Sequence, residues 1–190
     1  MEKQQNSMRI LAFAGSLRRD SYNKALVNTA RELAPEGVDV EIFELAGIPL
    51  FTQDEESDMP ERVRLFKKKI EEADAILIAT PEYNRSVSGV LKNAIDWASR
   101  PPGKNSFNDK PVAIMGATGG QLIGTYGAQT HLRDILAYLN AHVLEKPQLF
   151  IAGASEKISN GKVIDDATRE LIVELVRSLE KWTHRLIQKQ

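Results

Sequence analysis

Along the chain, short continuous apolar runs alternate with stretches in which apolar residues return every three or four positions. Residues 9–14 form the first run and end at Gly15, a pattern that suits a strand buried on both faces. Leu26, Ala30 and Leu33 then recur at helical spacing until Pro35, Glu36 and Gly37 stop the helix. Residues 38–43 alternate in part and predict a second strand. A helix start is expected at residues 58–61, with Asp58 as cap, Glu61 completing a capping box and Pro60 in the first turn. Val63, Phe66 and Ile70 follow at helical intervals.

Residues 75–79 predict a third strand, which Pro81 ends. Val90, Leu91, Ala94, Ile95 and Ala98 share one helical face, with Trp97 read as core, before Pro101 and Pro102. Residues 112–115 predict a fourth strand, and Tyr126, Leu132, Ile135, Leu136 and Leu139 mark the next helix. A fifth strand is expected between His142 and Ile151, and a last helix, capped near Asp165 or Asp166, carries Leu171, Ile172, Leu175, Leu179, Trp182 and Leu186. Five strands alternating with five helices predict one parallel sheet covered on both faces, a doubly wound α/β arrangement. At 190 residues the chain is expected to form a single domain, 1–190.

Composition narrows the chemistry. The chain has no cysteine, which removes disulfides, zinc–cysteine sites, iron–sulfur clusters and thiol catalysis together. Its three histidines, His131, His142 and His184, form no paired ligand motif, so no metal is expected. Balanced charge, 25 basic against 26 acidic residues, offers no global field for nucleic acid or an anionic membrane. Residues 111–132 lack Lys, Arg, Asp and Glu, yet their glycines, threonines and glutamines are too polar for a membrane span. The N-terminal residues lack the apolar core of a secretory signal, and a soluble, cytoplasmic protein is expected.

In a doubly wound sheet, ligands gather outside the carboxyl ends of the strands near the topological switch point. Three loops there are informative. After strand one, Gly15-Ser16-Leu17-Arg18-Arg19-Asp20-Ser21-Tyr22-Asn23 leads straight into a helix. Hydroxyl and amide groups, a helix N-terminus and Arg18 suit a phosphate, although an ordinary capped loop with solvated arginines uses the same residues. The loop is neither GxxxxGK[ST] nor GxGxxG, so a terminal monophosphate fits better than a triphosphate or pyrophosphate.

After strand three, Pro81 fixes the chain as it leaves the sheet, and Tyr83 offers an aromatic face with a polar tip. Glu82 in the same loop also reads as a plain surface carboxylate. After strand four comes Gly116-Ala117-Thr118-Gly119-Gly120. It mimics the start of a dinucleotide-binding domain, but follows the wrong strand and has Leu122 where a further glycine belongs. Thr118, Gly119 and Gly120 instead let the backbone approach a planar ring edge, or simply open a glycine-rich helix start.

Taken together, Gly15–Asn23, Pro81-Glu82-Tyr83-Asn84, Ser88-Gly89-Val90-Leu91-Lys92-Asn93-Ala94-Ile95-Asp96-Trp97, residues 131–136 and Lys146-Pro147 resemble the NADPH-dependent FMN reductase family, particularly its quinone- and chromate-reducing bacterial members. The likeness spans roughly residues 8–153. It implies a flavodoxin-like five-stranded parallel sheet of order 2-1-3-4-5 and noncovalent FMN reduced by NADPH or NADH. By position, Ser16, Arg18, Ser21 and Asn23 would hold the FMN phosphate, with Leu17, Arg19, Asp20 and Tyr22 shaping that loop. Pro81, Glu82, Tyr83, Asn84 and Arg85 would line the isoalloxazine, and Thr118, Gly119 and Gly120 would meet its other edge. The fourth-strand loop departs from the usual family pattern by about one residue, and Tyr126 interrupts its glycines.

The resemblance further implies a small-molecule acceptor (quinone, free flavin, azo compound or chromate) and a homodimer or homotetramer. No side-chain acid or base is needed, because the cofactor carries the chemistry. Backbone N–H groups around Asn84 and at Thr118–Gly120 are the expected donors to the ring. A flavodoxin-like electron carrier is the competing reading. Such carriers are usually strongly acidic to dock protein partners, unlike a chain at −1.

Overall fold

A computed structural model describes residues 7–187; the polar residues 1–6 read above for a signal lie outside them. Five parallel strands form the sheet path: β1 (Met8–Ala14), β2 (Val38–Ile42), β3 (Ala75–Ala79), β4 (Pro111–Ala117) and β5 (His142–Val143), in spatial order β2-β1-β3-β4-β5. The sequence therefore reverses direction across the sheet between β1 and β3, which opens the switch point at their carboxyl ends. In register, Ala12 lies beside Leu77 and Leu77 beside Ala113, and every residue of β3 and β4 is buried.

Burial on both faces follows from period-two alternation. Ile10, Ala12, Leu77 and Ala113 pack with α1 (Tyr22–Glu32) and the final helix through Leu26, Ala30, Leu175 and Leu179. Leu11, Phe13, Ile76 and Ile78 pack with α2 (Glu61–Glu72), α3 (Gly89–Ala98) and α4 (Tyr126–Tyr138) through Phe66, Leu91 and Leu132. Trp97 is fully buried, and its indole N–H donates to the Pro49 carbonyl at 2.9 Å. Among the described residues no helix is long and apolar enough to cross a membrane.

Three local expectations change. The fifth strand is split: β5 pairs with Pro111 and Val112, while β6 (Leu149–Ile151) pairs with Met115–Ala117. Residues 145–148 leave the ladder between them because Pro147 has no N–H to donate. Beyond β6, a short helix α5 (Ala154–Lys157) precedes a hairpin of β7 (Ile158–Ser159) and β8 (Lys162–Val163) that the apolar pattern does not announce. Its signal is Asn160-Gly161, both at positive φ, the pair that a two-residue hairpin turn favours.

The cap expected from Asp58 is also replaced. Pro60 occupies the cap position of α2 without a side-chain bond, because Met59 is drawn into the cluster with Val63 and Trp97. Asp58 instead faces Arg64 at 3.5 Å on the surface.

The last helix, α6 (Asp166–Ile187), is capped by Asp165, whose carboxylate accepts from the Thr168 N–H at 2.8 Å and from its hydroxyl at 2.5 Å. These hydrogen bonds to Thr168 hold the Asp165 carboxyl below its ordinary 3.8. A depressed carboxyl contributes stability above its unfolded value and loses it as pH falls through the folded value. Asp165→Ala is therefore expected to unfold at a lower temperature than the wild type at pH 7. Melting curves recorded from pH 7 downward should show the gap closing below pH 3.8.

Candidate functional site

The carboxyl ends of β1, β3 and β4 deliver three loops around a cleft of about 160 Å³. Ser16, Arg18, Ser21, Tyr22 and Asn23 line it from the first loop. Pro81, Glu82 and Tyr83 line it from the second, and Ala117, Thr118 and Gly119 from the third. Of the residues singled out in the sequence, Leu17, Arg19, Asp20, Asn84, Arg85 and Gly120 fall outside this lining.

The first loop turns sharply because α3 crowds it. A Cβ at Gly15 would sit 3.0 Å from both Leu91 Cβ and Ser88 Oγ. The Ser88 hydroxyl donates to the Gly15 carbonyl at 2.6 Å while accepting from the Leu91 N–H at 3.2 Å, so one N-cap joins α3 to the first loop. Ser21 caps α1 by accepting from the Lys24 N–H at 3.4 Å. The N–H groups of Tyr22 and Asn23, in the first turn, have no intrahelical acceptor. Arg18 donates from Nη2 to the Asp20 carbonyl at 2.7 Å and lies 5.2 Å from the Tyr22 ring centroid. A guanidinium is thus tethered beside the positive end of the helix dipole, a setting that favours an anion.

The Asn23 side chain, unlike its backbone N–H, is engaged away from the cleft. Its amide donates to the Ala117 carbonyl and accepts from the Ala117 N–H, both at 3.0 Å. Both ends of the side chain are occupied, so Asn23 fastens α1 to the end of β4.

In the second loop, Tyr83 and Ser86 exchange two backbone bonds, Tyr83 N–H to Ser86 at 3.1 Å and Ser86 N–H to Tyr83 at 3.0 Å. Between them Asn84 (φ 51°) and Arg85 (φ 66°) are both left-handed, the signature of a type I′ turn. Asparagine tolerates this region, whereas for arginine it costs roughly 1 kcal/mol or more. Glu82 does not point its carboxylate freely into solvent: Oε2 accepts from the Ala128 N–H, in the first turn of α4, at 3.0 Å. Tyr83 remains 54% exposed beside the cleft.

The third loop is more constrained than its glycines imply. The Thr118 N–H donates to the Ile151 carbonyl at 3.0 Å, and the Gly120 N–H to Thr118 Oγ1 at 3.3 Å. Of the three expected backbone donors, only the Gly119 N–H has no partner among the described residues. Gln129, fully buried, donates to Thr125 Oγ1 at 3.0 Å and to the Leu149 carbonyl at 2.7 Å, fixing α4 to β6. Leu122 and Ile123 stand exposed on this loop, and Tyr126 stands exposed at the start of α4. Ser88, Gly127 and Gln129 carry site geometry that sequence reasoning did not assign. Only Ser88, immediately ahead of a helical apolar period, had a local cue.

The chain matches the NADPH-dependent FMN reductase family over residues 8–156, and it belongs to that family. It is 45% identical over 183 residues to an NAD(P)H-dependent FMN reductase of Pseudomonas aeruginosa, covering 95% of this chain and 98% of that protein. It is 43% identical over 177 residues to a 2-hydroxy-1,4-benzoquinone reductase of a Burkholderia species, covering 93% and 96%. Among solved structures, the flavoenzyme NAD(P)H:(acceptor) oxidoreductase FerB from Paracoccus denitrificans superimposes with a TM-score of 0.85 at 35% identity, covering 94% of this chain and 98% of that one. The protein is an NAD(P)H-dependent oxidoreductase with FMN as cofactor.

The glycines of the third loop separate into required and permissive positions. A Cβ at Gly116 would lie 2.1 Å from Thr125 Oγ1 and 2.4 Å from the Thr80 carbonyl oxygen, whereas at Gly120 nothing comes within 3.7 Å. Gly116→Ala is expected to lose about 3 kcal/mol or more in urea denaturation, since backbone must move. Gly120→Ala should stay within about 1 kcal/mol of the wild type.

Proposed function

We propose that the cleft holds FMN with its phosphate at the N-terminus of α1, and that the electron acceptor is a quinone. The observation carrying this reading is the donor set. The Tyr22 and Asn23 N–H groups, the Ser16 and Ser21 hydroxyls and Arg18 converge on one cleft at the sheet's switch point. That chemistry suits a dianionic monophosphate, and the chain supplies it locally although its net charge is only −1. A volume of about 160 Å³ fits a phosphate and part of its tether, not a whole flavin, since drug-sized ligand pockets run to about 300 Å³ or more.

The ring would extend along the open side, between Pro81 and Tyr83 on one edge and Thr118 and Gly119 on the other. There the Gly119 N–H and those of Asn84 and Arg85, which take no part in the turn's two backbone bonds, are placed to stabilise negative charge at the ring edge. Leu17, Arg19 and Asp20 shape the phosphate loop, and Gly120 closes the third loop through Thr118. Bound FMN would supply hydride and electron transfer between NADPH or NADH and the acceptor, so the protein's share is binding and orientation. The open edge leaves space for a second copy of the chain to border the ring, in a homo-oligomer. The quinone reading draws on the benzoquinone reductase and the plant quinone oxidoreductases to which the chain is similar; free flavin, azo compounds and chromate are the alternatives to assay beside it.

Protein stripped of flavin should take up FMN in a fluorescence titration, and the complex should lose its flavin absorbance on anaerobic mixing with NADPH or NADH. Arg18→Ala should raise the Kd for FMN about tenfold or more, the worth of one charge-assisted bond. Its Kd for riboflavin, which lacks the phosphate, should stay at the wild-type value. Unchanged FMN affinity in this variant would move the phosphate elsewhere. Benzoquinone turnover no faster than that with free flavin, azo dye or chromate would remove the quinone assignment.

A further inference from the structure

We propose that Glu82 is a positioning residue, which acts by capping α4 from another loop and thereby holds the Tyr83–Ser86 turn at the flavin's edge. This rests on the cleft being the FMN site. Two consecutive left-handed residues, Asn84 and Arg85, do not keep that geometry unaided; the surroundings must over-determine it. Those surroundings are the first turns of α4. Glu82 Oε2 accepts from the Ala128 N–H at 3.0 Å, and His131 Nδ1 lies 3.0 Å from Ser86 Oγ. Gly127 closes the contact: a Cβ there would sit 2.9 Å from the Arg85 carbonyl oxygen and 3.2 Å from Glu82 Oε2.

The helix needs the same contact. Its N-cap residue, Thr125, gives no side-chain cap, and its hydroxyl accepts from Gln129 instead. No acidic residue lies in its first turn. Glu82 therefore supplies, from 46 residues away, both the acceptor and the negative charge that a helix N-terminus favours. Because α4 follows directly on the third loop, the contact sets the spacing between the two loops that would flank the ring. The carboxylate works on α4 rather than on the flavin.

Three variants test this: Glu82→Ala, Glu82→Gln, which keeps an acceptor oxygen, and Gly127→Ala, which pushes on the Arg85 carbonyl and removes no polar group. In flavin-free protein, amide hydrogen exchange at Ser86 and Ala128 is expected to accelerate about fivefold or more in Glu82→Ala and to stay within about threefold of the wild type in Glu82→Gln. In the FMN complex, Glu82→Ala and Gly127→Ala should each raise the Kd for FMN about fivefold and slow anaerobic reduction by NADPH, with Glu82→Gln near the wild type. The double variant should be no worse than the poorer single one, since both break one contact.

A Glu82→Ala protein with a lowered melting temperature but unchanged exchange at Ser86 and unchanged FMN affinity would reduce the residue to a stability cap and overturn the proposal. Equal damage from Gln and Ala would also overturn it, since an acceptor oxygen at this place would then not be what holds the turn. If the wild-type protein binds no FMN, the site assignment falls, while the exchange measurements still decide whether Glu82 holds the turn.

Discussion

The pairing of the Asn23 amide with both backbone groups of Ala117 is the constraint on which the rest of the site depends. It joins residues 94 apart in sequence, and it does so with the side chain 3% exposed, where an unsatisfied amide would be costly. A helix N-terminus attracts an anion only if its free N–H groups are held at a fixed place relative to the rest of the cleft. Here the second residue of α1 supplies that fixity itself. The Tyr22 and Asn23 N–H groups are set against the third loop by the same residue that fastens the helix.

Two further contacts repeat the device. The Ser88 hydroxyl caps α3 and bonds to the Gly15 carbonyl, and the Glu82 carboxylate caps α4 while anchored in the second loop. In all three, a side chain from one segment satisfies backbone groups of another, so each strand-end loop is braced by its neighbour. Loops on a surface ordinarily sample many conformations, and ordering them on binding weakens affinity. Cross-bracing restricts that sampling. It also explains how a loop can keep Arg85 at φ 66° without glycine.

Much of this was legible in the sequence, and what was not has physical causes. The short apolar runs within residues 9–14, 75–79 and 112–115, bounded by glycine or proline, suit strands buried on two faces, and the structure has strands there. Pro147 breaks the fifth strand in a place that apolar content does not mark, and Met59 takes the chain past Asp58 before α2 begins. Glycine at the ends of strands one and four announced a sharp turn or a close approach, yet Gly116 and Gly120 look alike in sequence and differ entirely in what surrounds them. Asn23 and Glu82 were recognisable as polar residues of the right loops. Their bonds go to Ala117 and Ala128, partners that only the folded chain brings near.

The distribution of charge bears on what the cleft can exchange electrons with. Arg18 is tethered by the Asp20 carbonyl and the Tyr22 ring, so the positive potential at the cleft is local and does not depend on a chain-wide excess. A local potential of this kind fades over about a Debye length, roughly 8 Å at physiological ionic strength. It can hold a phosphate in contact but cannot steer a distant protein, for which a broad complementary surface is needed. Exposed apolar or aromatic side chains, Tyr83, Leu122, Ile123 and Tyr126, stand beside the site among the exposed polar and charged Arg18, Arg19, Asp20, Asn84 and Arg85. With no cysteine anywhere in the chain, electrons have no thiol to stop on between donor and acceptor.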